Sequence, residues 1–166
     1  MTKVAFGGGC HWCTEGVFQS LLGVLQVDQG WVSSEAPNHN FSEGVIVSYD
    51  PKVISLDVLV EIHLLTHASA ANHSMRDKYR SAVYVFEESQ KIVVEAIFKK
   101  IQIGFLKKII TQTLPFVSFK KNKEEFLNYY LKQPQAPFCK KHIEPKIEKL
   151  LKTHSKFIVS RRYKGK

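Results

Sequence analysis

The order in which strand-like and helix-like segments follow one another constrains this chain more than any other feature, because few packings satisfy it. Lys3 to Phe6 (KVAF) reads as a short strand. Cys13 to Leu22 (CTEGVFQSLL) places Val17, Phe18, Leu21 and Leu22 at helical spacing. Two β-rich stretches follow, Gly23 to Val32 (GVLQVDQGWV) and Glu43 to Asp50 (EGVIVSYD), separated by the polar loop SSEAPNHN. Ser55 stands where it can cap a helix over Leu56 to Leu65, and Ser81 to Phe86 (SAVYVF) reads as a strand. The order βαββαβ predicts an α+β, ferredoxin-like sandwich with helices on one face of an antiparallel or mixed sheet.

Beyond this unit, apolar spacing predicts a helix from Glu88 to Lys100, and KIITQTLPF looks extended. Two additional C-terminal helices are expected, KEEFLNYYLK and EPKIEKLL, joined by the loop QPQAPFCKK. With 166 residues, 44% of them apolar, the chain is expected to fold as one domain over 1–154, followed by a loose basic tail, 155–166. The net charge of +9 comes mostly from lysines in the second half. Without interleaved aromatics or a recognisable module, these predict a solvated surface rather than a specific nucleic-acid face. MTKVAFGGG lacks an apolar core behind a basic start, and no later apolar run approaches about 18 residues. A cytoplasmic monomer without membrane contact is therefore expected. Its three cysteines, an odd number, suit free thiols better than a disulfide framework.

The chemistry concentrates in GGGCHWCTE, Gly7 to Glu15. A cysteine where a strand hands over to a helix feels the partial positive charge of the helix start, which favours its thiolate. Cys10 is thus a candidate nucleophile, with Cys13 one turn away as a resolving thiol, and the glycines give a substrate access to the main chain. Zinc is the rival. Cys10-x-x-Cys13 and Cys139-x-x-His142 together offer a Cys₃His set, and a noncatalytic, zinc-stabilised nucleic-acid-binding protein is the alternative reading. Cys139, flanked by Lys140 and Lys141 in a predicted loop, is a second candidate resolver or a small buried residue. His63 is expected to be a core or edge histidine. His67 and His73 fit a polar surface.

GGGCHWCTE resembles the signature of A-type peptide methionine sulfoxide reductases. LLGVLQVDQGW, SEGVIVSYDP, YRSAVYV and APFCKKHIEPKIEKL resemble further segments of that family in the same order, from about Val4 to Lys152. The resemblance implies thiol-dependent reduction of methionine (S)-S-oxide, free or peptide-bound, without a cofactor. A thioredoxin-type dithiol protein would recycle the enzyme, a role in repair of oxidative damage. It implies Cys10 as attacking thiolate, Glu43 as proton donor, and Tyr79 as a hydroxyl holding the sulfoxide oxygen. Trp12 would wall the methyl pocket, with His11, Trp31 and Glu15 also at the substrate site. The pattern departs from the family at several places. His11 stands where phenylalanine is usual and Trp31 where a second oxygen-binding tyrosine is usual. Ser74, Arg76 and Lys78 replace an aspartate, a glycine and a glutamine. His67 to Ala70 replaces a His-Asp-Pro-Thr run, and Phe126–Leu127 a frequent Tyr-His.

Overall fold

The computed structural model describes residues 2–159. Strands β1 (Thr2–Gly7), β2 (Val24–Ser33), β3 (Ser42–Tyr49) and β4 (Ala82–Val85) alternate with helices α1 (His11–Gln19) and α2 (Leu56–Leu65) in the expected βαββαβ order. The chain continues through α3 (Glu88–Gln102), β5 (Gln112–Pro115), β6 (Ser118–Lys121), α4 (Tyr129–Lys132) and α5 (Glu144–Thr153). The six strands form one sheet in the order β5-β4-β1-β3-β2-β6. Only β4–β5 is a parallel pair, so the inner four strands make the antiparallel 4-1-3-2 core and the sheet as a whole is mixed.

The outermost strands are nearly consecutive in sequence, which dictates the sheet's shape. A flat sheet of six strands would set β5 and β6 about 24 Å apart, at about 4.8 Å per spacing. Pro115 and Ser118 are three peptides apart, a reach of about 11 Å. The sheet must therefore curl until its edges approach. Ala5, Val32, Ile46, Ala82 and Tyr84 are buried on the inner face, against Leu114, Phe116 and Phe119 from the two edge strands and their link. The opposite face carries the main core, where Val4, Phe6, Val45, Val47 and Val83 meet Val17 and Phe18 of α1, Leu59 and Ile62 of α2, Val94 of α3 and Ile147 of α5.

Local chemistry accounts for the helix ends. The Ser55 hydroxyl accepts from Val58 N at 3.3 Å, the cap expected for α2. Glu88 and Lys99–Lys100 lie at the ends of α3 that suit the helix dipole. Three expectations need correction. KEEFLNYYLK is not one helix: Asn128 takes a left-handed conformation (φ 57°) and splits it into a 3-10 turn, Glu124–Phe126, and the single turn α4. The loop carrying Cys139 is a π-helical turn, Cys139–Ile143, leading into α5, with Cys139 fully buried rather than exposed. The tail assigned to 155–166 is ordered where it begins. Leu21 pairs with Ile158, Leu22 N donates to Phe157 O at 2.6 Å, and Val159 N donates to Ser20 O at 2.8 Å. Residues 160–166 of that assignment lie outside the described residues.

Candidate active site

Cys10 is the N-cap of α1. Its thiol is lowered to about 7, first by a hydrogen bond from the Cys13 thiol, then by the backbone N–H groups of Trp12 and Cys13; burial and the Glu43 charge oppose them. The same pairing, with burial, pushes the Cys13 thiol far up, so the proton the two share stays on Cys13. Cys10 is half-buried and Cys13 buried, and all three cysteines are free thiols. Burial raises the Cys139 thiol first, by desolvation, and the nearby Glu144 charge raises it further.

The glycines before Cys10 serve the main chain more than a ligand. A Cβ on Gly7 would stand 2.9 Å from Arg80 O, and one on Gly8 (φ 148°) would strike the His67 ring at 2.5 Å. Open space lies only beside Gly9. The expected substrate access thus narrows to one glycine of the three.

Glu43 closes the first turn of α1. It is 6% exposed, and His11 N donates to its Oε1 at 3.2 Å. The His11 ring is anchored through Nδ1, 3.0 Å from Gly30 O, which leaves Nε2 3.5 Å from Glu43 Oε1 and 3.4 Å from the Asn122 amide. Because a carbonyl only accepts, Nδ1 carries the proton and Nε2 faces the carboxyl. His11 therefore engages Glu43 and is no simple stand-in for phenylalanine. Trp31 lies directly across the β2–β3 ladder from Glu43, its ring 5.3 Å from His11 at 74°. Lys78 Nζ reaches Glu43 Oε2 at 3.6 Å and lies 5.1 Å from the centre of the Tyr79 ring. Tyr79, half-buried, thus joins this cluster through Lys78.

Trp12 builds an aromatic box. It stacks on Tyr129 (4.3 Å, 2° between planes) and meets Phe138 edge-on at 5.5 Å, with Phe126 at 6.3 Å. Its indole N–H is buried without a protein partner. Glu15 needs correction as a substrate contact. It is 1% exposed, and its two oxygens accept from Asn128 N at 2.9 Å and Tyr129 N at 3.1 Å. Burial raises its carboxyl, against those bonds. Glu15 holds the start of α4, and so the Tyr129 side of the box.

His63 is a core histidine, its Nε2 2.8 Å from Gly7 O, and burial holds its imidazole well below the usual range. His67 departs from the surface role expected of it: it stacks on His63 at 4.2 Å and bonds Ser81 Oγ at 2.7 Å. The zinc arrangement does not assemble. His142 is exposed against Phe138, and among the described residues no group of three His, Cys, Asp or Glu stands in metal-holding geometry. Asn122, Tyr129 and Phe138 were not legible as site residues, since their only signal is tertiary: each reaches α1 from the C-terminal third.

The family model described as peptide methionine sulfoxide reductase matches residues 2–157. The chain belongs to that family. The peptide methionine sulfoxide reductase MsrA of Nautilia profundicola is 33% identical, over 92% of this chain and 95% of the relative. That of Sulfolobus acidocaldarius is 31% identical, over 92% and 94%. Among solved structures, reduced Mxr1 from Saccharomyces cerevisiae superposes with a TM-score of 0.73 at 25% identity, covering 85% of this chain and 90% of Mxr1. Membership makes this chain a methionine sulfoxide reductase. No described helix is long and apolar enough to cross a membrane.

Proposed function

We propose that the chain reduces methionine (S)-S-oxide through Cys10, with Glu43 as proton donor. The observation that carries this reading is one helix turn that brings both groups together: Cys10 is the N-cap of α1, and Glu43 accepts from the next backbone N–H, that of His11, at 3.2 Å. The Cys10 thiolate attacks the sulfoxide sulfur while Glu43 delivers a proton to its oxygen. Attack forms a bond between the two sulfurs; the protonated oxygen then passes from the substrate sulfur to the Cys10 sulfur as that S–S bond breaks, its electron pair leaving with methionine, and Cys10 remains as a sulfenic acid. The Cys13 thiol, hydrogen-bonded to Cys10, then displaces water to form the Cys10–Cys13 disulfide. Cys139, fully buried, is the second resolver if the first disulfide is exchanged onward.

Tyr79 steadies the developing oxyanion, Trp12 walls the methyl side, and Trp31 and His11 shape the approach to Glu43. A thioredoxin-type dithiol restores both thiols. Support for that partner comes from Mxr1 of Saccharomyces cerevisiae, a structure of which is described as a complex with Trx2. Single-turnover reduction of separated methionine sulfoxide epimers, followed by turnover with thioredoxin, tests the reading. Reduction of the S epimer that survives Cys10→Ser would overturn it.

A further inference from the structure

Resting on that reading, we infer that the enzyme selects peptide substrates bearing acidic residues two positions to either side of the methionine sulfoxide. Four residues form a lateral row across the sheet on the α1 side. Lys78 is bound to the Glu43 backbone, its carbonyl accepting from Glu43 N at 2.9 Å. Glu43 is paired with Trp31, and Trp31 with Lys120 of β6. Directly opposed residues of neighbouring antiparallel strands share a face, so the Lys120 side chain stands beside Trp31 as Glu43 does on the other side. The row reads lysine, proton donor, indole, lysine, and both lysines are exposed at its ends.

The spacing suits an extended peptide. Three strand spacings of about 4.8 Å separate the two lysine backbones by about 14 Å, which about four residues of extended chain span. With its sulfoxide in the middle of the row, such a peptide brings the residues at −2 and +2 to the two ammonium groups. Those residues share one side of an extended chain, as period two requires. Lys120 lies directly across the β2–β6 ladder from Trp31. The other charged group within the row is Glu43 itself, already 3.6 Å from Lys78. An acidic substrate residue competes for that lysine, whereas a basic one is repelled by both.

The test uses three blocked pentapeptides, X-Gly-methionine sulfoxide-Gly-X with X as Glu, Gln or Lys, together with N-acetylmethionine sulfoxide. Each enzyme is scored by its own ratio of kcat/KM values. Exposed charge pairs contribute about threefold each, so the Glu peptide should exceed the Gln peptide by about tenfold at low salt, and the Lys peptide should be slowest. At about 0.5 M salt, where charges several ångströms apart are screened, the ratio should fall towards one. In Lys120→Gln and in Lys78→Gln it should fall to about three. With peptides carrying a single Glu, each variant should lose the gain at a different end. Equal kcat/KM for the three peptides at low salt, with N-acetylmethionine sulfoxide still reduced, overturns the inference alone. A Glu preference unchanged in both variants overturns it as well. No reduction of any substrate overturns it together with the function it rests on.

Discussion

Cys10 shows how little chemistry a nucleophile needs once the backbone has placed it. The largest cause of its lowered value is the Cys13 hydrogen bond, so the two thiols are one device. Removing that donor should raise Cys10 from about 7 towards the ordinary thiol value of about 8.5. The alkylation rate of Cys13→Ala should then need a more alkaline solution, while Cys13→Ser, which keeps an O–H donor, should stay close to wild type. Iodoacetamide kinetics against pH will show this, and identical profiles in all three proteins would refute it. At the oxygen end, Tyr79→Phe should slow single turnover about 100-fold to 1,000-fold, the usual effect of losing one fixed donor to a developing oxyanion. Trp31→Tyr, which restores a hydroxyl, should accelerate it. A Tyr79→Phe enzyme as fast as wild type would place the oxygen elsewhere.

At the scale of elements, α1 is held by partners far away in sequence. Glu15 ties it to the start of α4, and the loss of one acceptor in Glu15→Gln should cost about 1–3 kcal/mol in urea unfolding. The loop before β4 is knit by Arg76, which donates to Gly8 O and Tyr79 O at 2.9 Å each, so one guanidinium links the glycine turn before Cys10 to Tyr79. Two neutral imidazoles at the end of α2 make the fold acid-sensitive. Burial lowers His67 to about 4 and holds His63 well below its ordinary range, whereas both regain about 6.5 on unfolding. Below pH 6.5 the unfolded chain therefore binds more protons, and stability falls as pH drops towards 4. For His67 alone the loss from pH 7 to pH 5 is about 2 kcal/mol, which His67→Asn should remove. Denaturation midpoints at the two pH values provide the measurement.

For the whole molecule, closure matters in two places. The curl brings β5 and β6 together through Phe116 and Val117, and β6 then supplies Lys120 and Asn122 to the site. The C-terminal segment closes the other end by pairing Ile158 with Leu21, directly after α1. Truncation after His154 removes that bridge, the buried Ile158 side chain and its backbone hydrogen bonds, and should destabilise the protein by about 2 kcal/mol or more. An unchanged melting temperature would restore the domain boundary that composition suggested.

The βαββαβ order was legible because its signals are local: period two in β3, period 3.6 in α1, a serine before α2. The nucleophile was legible for the same reason, since Cys10 and Cys13 lie one turn apart on the helix they cap. KEEFLNYYLK misled because its helical propensity is local, whereas at the left-handed Asn128 the Glu15 carboxylate takes the N–H groups of Asn128 and Tyr129. For Cys139 the sequence left a resolving thiol and a small buried residue both open, and the π-helical turn buries the sulfur although two lysines follow it. The sequence by itself therefore determined the order of elements and the family, and it supplied the cysteine proposed as the attacking sulfur. Only the tertiary structure decided that His11 faces Glu43, that Glu15 braces α4, and that lysines from β6 and the β4 loop flank the site. Those contacts join residues tens of positions apart, and they exist only because the sheet curls and the C-terminal third folds back onto α1.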